Sequence, residues 1–396
     1  MKNLWGVLKH KLDLLKDLGY IGSANIIGTG LSAFFWLYIA NLLGAEDYGE
    51  IQYYLSIAGI AYFVSLFATP ETITVYAAKN VKIHPTLFFI SLIGGLLSFI
   101  IILSILQRFD VGVLLFGYII NELSLSYLLG KKLYSKYSKN IVIQKILTLT
   151  FGLCFYFLFG PEGILYGLAL SYIHLTIIIY KGFKESRISF SSLKPHISFI
   201  KNNYLANAIN GLRTNIDKII LLPLAGFAMV GNYALAMQFF TILIIPADLV
   251  LKYLIPQDSS GMPNPKLKMI IVVISIGIAV FGIIVLPLFI QYLFPEYTDA
   301  IEAIQIISIS VIPTTVGYLL TSKLLSLEQS KYILFGRIIS MSTIIIGFII
   351  LIKPFGMTGV AISYVLSTVT QTIFFIFAYK KIMAEIDDKK LSSRDK

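Results

Sequence analysis

Two short glycine-bounded stretches, GAEDYG at residues 44–49 and GFAMVG at residues 226–231, are related by a shift of 182 residues. Each stretch follows one apolar segment and precedes another, and the same shift pairs Asn25 with Asn207. Glycines at this density mark turns between regular elements. The two stretches therefore indicate that the chain contains two related halves.

A second register supports the duplication. GLALSY at residues 167–172 pairs with GVAISY at residues 359–364 under a shift of 192 residues. The same shift pairs three basic residues with three others: Lys131 with Lys323, Lys139 with Lys331, and Lys145 with Arg337. The ten-residue difference between the registers falls in the region of LFPEYTDA at residues 293–300, where we expect an insertion. Agreement in both registers predicts an internal repeat.

The composition indicates the solvent in which the two halves fold. Hydrophobic residues make up 57% of the 396 residues, charged residues make up 13%, and the mean hydropathy is +0.82. Soluble domains carry about 25% charged residues. Since a bilayer is crossed by about 20 apolar residues of helix, the chain is long enough for many spans. We predict an all-α, multi-pass integral membrane protein.

The net charge of +11 favours a membrane surface over nucleic acid as the partner. Basic residues of membrane proteins collect on cytoplasmic loops and next to anionic lipids, and no nucleic-acid-binding motif is present. The single cysteine, Cys154, excludes an intrachain disulfide. Leucines alternate with lysines at helical spacing in residues 1–19, which predicts an amphipathic helix on the cytoplasmic membrane face and no cleavable signal peptide.

A window of span length identifies twelve apolar segments. They lie at about residues 20–43, 51–76, 86–107, 111–130, 140–159, 163–180, 203–225, 228–252, 269–290, 300–322, 332–352 and 357–379. Lysines and arginines concentrate in alternate connections and at both chain ends, whereas the other connections hold only Arg108 and Lys353. This asymmetry predicts that both termini are cytoplasmic.

The repeat and the spans together predict the domain organisation. Two six-helix bundles, residues 20–180 and 203–383, are expected to be related by a pseudo-two-fold axis along the membrane normal, with a substrate cleft between them. Residues 181–202 form a basic cytoplasmic linker, and residues 384–396 form a charged cytoplasmic tail.

The seventh segment carries charges where lipid is expected. A charged residue at the centre of a membrane helix costs about 2.5–3.5 kcal/mol on insertion scales, so such residues face a bundle interior or a wet cavity. Four residues recur at helical spacing and form one polar stripe: Asn207, Asn210, Thr214 and Asp217. Arg213 and Lys218 add positive charge, and Asn25 begins an uncharged counterpart stripe on the first segment. Neutralisation of Arg213 by Asp217 in a packed bundle is the alternative to a binding role.

Further charged residues within the segments are candidates for substrate binding or ion coupling. Lys145 and Arg337 lie at matching repeat positions, where they either contribute to an anion site or snorkel to the membrane interface. Glu122 and Asp248, together with Asp217, are candidates to bind the proton or sodium ion that drives transport. No metal-ligand cluster, phosphate-binding glycine loop or catalytic motif is present, so we expect no metal and no cofactor.

Three stretches resemble the polysaccharide exporter family, the Wzx-type flippases of the multidrug/oligosaccharidyl-lipid/polysaccharide exporter superfamily. They are LLGAEDYGEIQYYLS at residues 42–56, LAGFAMVGNYALAMQ at residues 224–238 and NIDKIILL at residues 215–222. The resemblance implies a cell-membrane transporter that flips a lipid-linked oligosaccharide, carried on a polyprenyl phosphate or pyrophosphate, for surface polysaccharide biosynthesis. Its substrate phosphate would suit arginine and lysine. We expect a monomer that contacts membrane lipids and couples to H⁺ or Na⁺.

Two other functions stay open. A cation-coupled small-molecule exporter of the same fold is the nearer one, although positive charge in the cleft disfavours cationic substrates. A membrane-embedded glycosyltransferase would use acids on the first outer loop, where Glu46, Asp47 and Glu50 lie. That loop is only a turn, and its repeat partner GFAMVG has no acids. We therefore predict that the protein is not an enzyme.

Overall fold

The structure, a computed structural model, describes the backbone of residues 2–259 and 264–394. Side chains are described for residues 19, 20, 22–251, 253–255, 257, 258 and 264–385, so the predicted amphipathic face of residues 1–19 lies outside them. The chain is 90% helical, and the described ranges contain no strand. The helices are α1 (Lys2–Ser65), α2 (Pro70–Ala78), α3 (His84–Leu106), α4 (Phe109–Gly130), α5 (Tyr134–Phe159), α6 (Gly163–Leu170), α7 (Thr176–Lys184), α8 (Ile197–Ser259), α9 (Pro265–Ile284), α10 (Leu286–Leu293), α11 (Thr298–Ser308), α12 (Val311–Ser326) and α13 (Ser330–Arg394).

Three of these helices are long enough to contain two membrane spans, and each is broken at one glycine. Gly44 in α1, Gly226 in α8 and Gly356 in α13 have φ angles of 74°, 80° and 53°. Glycine adopts positive φ without the steric cost that a Cβ imposes, so the chain reverses at these positions with little strain. Two of the breaks are the first glycines of the GAEDYG and GFAMVG stretches, so the predicted turns are confined to these glycines and residues 45–49 and 227–231 are already helical.

The helices reproduce the predicted number of spans. In the described part of the chain, eight helices are long and apolar enough to cross a membrane, and α11 with α12, bent by 45°, adds a ninth. Dividing α1, α8 and α13 at their glycines turns nine into twelve. The all-α, twelve-span fold class is thereby confirmed.

The predicted second span, residues 51–76, is interrupted. Helix α1 ends at Ser65 and α2 begins at Pro70, because proline starts a helix readily but cannot continue one. The side chain of Thr69 caps α2 by accepting from Thr72 N, and Ala68 N donates to Ser91 Oγ at 2.9 Å. These contacts satisfy backbone groups that a continuous helix would have paired.

The chain forms two compact units, which we describe separately. The first comprises Met1–Tyr38 and Tyr54–Asn215, and the second comprises Ile39–Tyr53 and Ile216–Lys396. The turn at Gly44 packs in the second unit, where the Tyr297 hydroxyl donates to the carbonyls of Ala40 and Gly44, each at 2.8 Å. The side chain of Asn41 also donates to the carbonyl of Leu293.

The two glycine turns contact each other in the second unit. A Cβ added to Gly49 would approach Phe227 O closer than 3.0 Å, and one added to Gly231 would approach Ala45 O as closely. Under the 182-residue shift, Gly49 corresponds to Gly231 and Ala45 corresponds to Phe227. Exchanging each residue for its counterpart therefore turns the contact between Gly49 and Phe227 into the contact between Gly231 and Ala45. The contact is therefore reciprocal, as a local two-fold relation between the turns requires, and it supports the repeat register.

In the first unit, an ion pair joins the ends of three helices. Lys131 Nζ, just after α4, lies 2.8 Å from Glu185 Oε2, just after α7, and His84 Nε2 at the start of α3 lies 3.3 Å from the same oxygen. Tyr127 donates its hydroxyl to the other oxygen of Glu185. Burial raises the pKa of Glu185, but the hydrogen bonds from Lys131 and Tyr127 outweigh it and lower the pKa below its ordinary value.

The second unit has an ion pair of its own between the end of α8 and the start of α9. Lys268 Nζ near the start of α9 lies 2.6 and 2.8 Å from the two carboxylate oxygens of Asp258 near the end of α8. Ser322 of α12 donates to Asp258 Oδ2 at 2.7 Å. The side chains of Asp258 and Lys268 are 4% and 12% exposed, so either charge would lie buried without the other.

Removing one partner of this pair should destabilise the protein. We expect Lys268→Met to lower the free energy of unfolding by about 3–5 kcal/mol, because a buried carboxylate loses its counter-charge. Lys268→Met combined with Asp258→Asn should recover most of the loss. Unfolding of the purified protein in detergent measures both, and Lys266→Met, an exposed lysine on the same helix, is the control. Equal unfolding free energies for Lys268→Met and Lys266→Met would contradict a stabilising role for the pair.

Candidate functional site

The polar stretch of α8 in the first unit contains hydrogen-bond donors that lack acceptors. Arg213 Nε and Asn207 Nδ2 are buried, and neither has a hydrogen-bond partner among the described residues. A buried donor without an acceptor costs about 1–3 kcal/mol, and more when it is charged. Each of these donors can be satisfied by an acceptor from a ligand or from water.

The other polar residues of this stretch bond mainly to their own helix. Thr214 Oγ1 donates to Asn210 O and Gly211 O, each at 3.1 Å, and Asn215 Nδ2 donates to Gly211 O at 2.9 Å. These side chains are therefore satisfied without a ligand. Arg213 and Asn207 remain the candidates that a ligand would serve, and substrate binding by the Asn210 side chain stays a prediction.

Lys145 of α5 packs against α1. A Cβ added to Gly28 would lie 3.5 Å from Lys145 Cγ and 4.0 Å from Lys145 Cε, so the lysine stem fills the space that the glycine leaves. Within the described part of the chain, no acidic side chain pairs with Lys145. Lys145 is half-buried and its carbon stem packs against a neighbouring helix, which favours an interior position over snorkelling along a lipid-facing surface.

Asn25, the predicted counterpart of Asn207, lies on α1 three residues before Gly28, and its side chain is exposed. In the first unit it is therefore accessible, although none of its contacts identifies a ligand. Its role in substrate binding stays a prediction.

Glu122 of α4 forms an acidic site in the same unit. Its two oxygens accept hydrogen bonds from Tyr62 of α1 at 3.0 Å and from Ser126, one turn along α4, at 3.1 Å. Glu71 of α2 lies within electrostatic range. A half-buried carboxylate with neutral donors and no basic partner in the described part of the chain has the chemistry to take up a proton or a small cation.

A row of three tyrosine rings begins at the residue that donates to this acid, Tyr62. The Tyr62 and Tyr118 rings meet edge to face with centroids 5.9 Å apart, and the Tyr118 and Tyr172 rings do the same at 5.9 Å. The sequence gives no means of selecting these three among 24 tyrosines. Only the packing of α1 against α4 and of α4 against the segment after α6 brings them together.

In the second unit, Asp217 is engaged by other groups. Tyr233, which is fully buried, donates its hydroxyl to Asp217 Oδ2 at 2.9 Å, and Lys218 N donates to Oδ1 at 2.9 Å. Lys218 Nζ lies 4.0 Å from Asp217 Oδ1. Asp217 therefore offsets part of the charge of Lys218, which makes Lys218 a weaker candidate for anion binding than Arg213.

For two other predicted residues of the second unit, the structure gives a position but no contact that identifies a role. Asp248 lies half-buried on α8 and Arg337 lies half-buried on α13, and each interacts with other groups of the protein. The correspondence of Arg337 with Lys145 in the repeat is a sequence relation. A role in binding or coupling stays a prediction for both.

Comparison with known proteins shows which solved structures share this fold. No family model matches the sequence, and no curated protein matches it. Solved structures do match: a multidrug resistance MATE family transporter of the MOP superfamily in its inward-facing conformation superposes with a TM-score of 0.71 at 17% identity, covering 90% of this chain and 94% of the other. The chain has the fold of a MOP superfamily transporter.

Two further MOP-fold structures match at similar coverage. The lipid II flippase MurJ in an inward closed conformation has a TM-score of 0.71 at 12% identity, covering 92% of this chain and 87% of its own. A MOP superfamily transporter from Pyrococcus furiosus, in which reverse polarity of the binding pocket suggests a different function, has a TM-score of 0.62 at 16% identity, covering 93% and 96%. The MOP fold comprises twelve helices in two lobes, and this protein is accordingly a multi-pass membrane protein.

Proposed function

We propose that this protein is a flippase that moves a lipid-linked oligosaccharide, carried on a polyprenyl phosphate or pyrophosphate, across the cell membrane for surface polysaccharide biosynthesis. The observation that carries the proposal is the buried Arg213 Nε, which has no hydrogen-bond partner among the described residues. A phosphate supplies several acceptor oxygens and the negative charge that a guanidinium pairs with best. Asn207 Nδ2 adds a neutral donor six residues earlier on the same helix.

Lys145 supports an anionic substrate. It is an inward-packed lysine with no acidic partner in the described part of the chain. Arg213 and Lys145 both belong to the first unit, which therefore presents two basic side chains in membrane-spanning segments. Such charges are costly in a membrane unless they bind something of opposite sign. The fold shared with the lipid II flippase MurJ is compatible with a lipid-linked substrate.

A cation-coupled exporter of small molecules is the second candidate function. The site at Glu122 favours it, because a carboxylate bonded to Tyr62, whose ring packs on Tyr118 and through it on Tyr172, combines the negative charge and aromatic faces that bind organic cations. The fold shared with the multidrug resistance transporter is equally compatible with this function. Under our proposal, Glu122 instead binds the H⁺ or Na⁺ that drives flipping.

The remaining parts of the proposal concern location and assembly. We propose that the protein resides in the cell membrane with both termini in the cytoplasm and works as a monomer. The lysine-rich connections support this orientation through the positive-inside rule. Asp217 and Asp248 are further candidates for ion coupling, and Arg337 and Lys218 for substrate binding.

Ligand-dependent thermal stabilisation tests the proposed substrate class. We expect undecaprenyl pyrophosphate to raise the unfolding temperature of the detergent-solubilised protein, because a ligand that binds only the folded state stabilises it. The uncharged alcohol undecaprenol, which has the same chain, is the matched control and should have a smaller effect. Equal stabilisation by both lipids would show that the protein recognises only the polyprenyl chain and would contradict the proposed phosphate site. Stabilisation by a cationic dye and by neither lipid would favour the small-molecule exporter.

A further inference from the structure

A set of contacts in the first unit connects the acid at Glu122 with the stretch of α8 that carries Arg213. The connection begins at Tyr62, which donates its hydroxyl to Glu122 Oε2 at 3.0 Å. The ring of the next residue, Phe63, lies 4.6 Å from the Tyr62 ring. Tyr62 and Phe63 lie near the end of α1, just before the break at Ser65.

The end of α1 is held by residues 204–215 of α8 at three levels. Tyr204 donates its hydroxyl to Val64 O at 2.9 Å, and its ring stacks on Phe67 with centroids 4.7 Å apart. Gly211 packs on Phe63, since a Cβ there would approach the Phe63 side chain closer than 3.0 Å. A Cβ added to Gly59 would likewise approach the Asn215 amide closer than 3.0 Å.

Arg213 lies between the last two of these contacts. Gly211 precedes it by two residues and Asn215 follows it by two, and both touch α1. A shift of residues 59–67, at the end of α1 and just beyond it, therefore moves the backbone that carries the Arg213 guanidinium. Close-packed contacts transmit such shifts because interiors have few voids to absorb them.

The charge on Glu122 controls one end of this connection. Hydrogen bonds to ionised acceptors are about twice as strong as those between neutral groups, so neutralising Glu122 weakens its bond to Tyr62. The groups that face Glu122 are Tyr62 from α1, Ser126 from its own helix, Glu71 from α2 and Tyr137 from α5. Of these, Tyr62 is the one whose helix is held by α8 residues 204–215.

We propose that Tyr62 is a positioning residue that couples the charge state of Glu122 to the conformation of α8 residues 204–215. The proposal takes the roles of Glu122 and Arg213 from the proposed function, but the coupling itself is a property of the protein without substrate. It explains how an ion bound at Glu122 changes the geometry of an anion site on another helix. A bound ion can shift a conformational equilibrium only if some interaction differs between the two states. Here the hydrogen bond between Tyr62 and Glu122 is stronger when Glu122 is charged than when it is neutral.

Backbone hydrogen exchange of residues 204–215 in the full-length, detergent-solubilised protein tests the coupling at one pH. We expect Glu122→Gln, which mimics the neutral acid, to raise the exchange rate of these residues about fivefold, the effect of weakening one charged hydrogen bond. Tyr62→Phe should raise it similarly, and Glu122→Gln should then add nothing in the Tyr62→Phe background. Ser126→Ala is the matched control: it removes the other donor to Glu122, and Glu122→Gln should keep its full effect there.

Two results would overturn the proposal. One is an exchange rate that Glu122→Gln leaves unchanged, and the other is an equal effect of Glu122→Gln with and without the Tyr62 hydroxyl. If Tyr62→Phe does not fold, Tyr204→Phe provides a second test, since it removes the bond to Val64 O from a partly exposed side chain and should reduce the response to Glu122→Gln, with an unreduced response counting against the proposal. No substrate is present, so the outcome is independent of whether Arg213 binds a phosphate.

Discussion

Replacing Arg213 with alanine is expected to abolish transport while the protein still inserts and folds. If the guanidinium pairs with the substrate phosphate, its loss removes charged hydrogen bonds that contribute about 1.5–3 kcal/mol. The affinity for undecaprenyl pyrophosphate should then fall about ten- to a hundredfold. Arg213→Lys should retain part of the affinity, because the charge survives but the two-pronged geometry does not.

In the alternative, Arg213 serves only to neutralise Asp217, and the structure allows this alternative to be tested separately. Asp217 already accepts from Tyr233 and from Lys218 N, so removing Arg213 leaves its carboxylate with two donors. We therefore expect Arg213→Ala to unfold at a denaturant concentration close to that of the wild type. Lys201→Ala removes an exposed positive charge from the same helix and is the matched control. A loss of about 3–5 kcal/mol in stability, with transport restored by Arg213→Ala combined with Asp217→Ala, would support the neutralising role and contradict ours.

Replacing Glu122 with glutamine is expected to abolish the gradient-driven part of transport. Glutamine keeps the size of the side chain and can still accept from Tyr62, but it cannot bind and release a proton and holds a sodium ion poorly. Flipping down a substrate gradient should continue, because Arg213 and Lys145 are unchanged. Transport into reconstituted vesicles, measured with and without an imposed proton or sodium gradient, separates the two components.

Glu162→Gln is the control for the Glu122 experiment. Glu162 is an exposed glutamate of the first unit, at the start of α6, and its replacement changes the net charge equally. Gradient-driven transport should survive this change. If Glu122→Gln retains it as well, Glu122 is not the coupling site, and Asp217 and Asp248 become the residues to test.

The membrane spans were predictable because each depends on a local property of the chain. A span is a run of about 20 apolar residues, and glycine at residues 44 and 226 supplies the positive φ that a reversal between two spans uses. The break between Ser65 and Pro70 was less visible, because Leu66, Phe67 and Ala68 within it are as apolar as the span itself. Pro70 was its only sequence sign, and it becomes informative once the cap at Thr69 is known.

The partners of the candidate site residues depend on contacts between distant parts of the chain. The spacing of Arg213 and Asp217 permits an ion pair along one helix turn, but Tyr233, sixteen residues after Asp217, bonds to the carboxylate. Tyr62 and Glu122 are sixty residues apart and meet only because α1 packs beside α4. Sequence periodicity gives the face of a helix on which a residue lies, whereas the neighbouring helix determines its partner.

The boundaries of the two predicted bundles stay a prediction, and the two compact units of the structure are divided at other residues. The predicted bundles divide the chain at a basic linker, residues 181–202, where composition changes. In the structure, residues 39–53 pack with the second unit through Tyr297, and residues up to Asn215 pack with the first. Both assignments follow from side chains that reach across more than 100 residues of sequence, and no local pattern encodes them.

Flipping of a labelled lipid by the purified protein tests the central claim most directly. Vesicles are prepared with a fluorescent polyprenyl pyrophosphate oligosaccharide, and a membrane-impermeant quencher reports the fraction of label on the outer face. We predict that wild-type protein makes the inner-face label accessible much faster than in protein-free vesicles, and that Arg213→Ala does not. Wild-type protein that leaves the inner-face label protected, yet carries a cationic dye across the same membrane, would contradict the account.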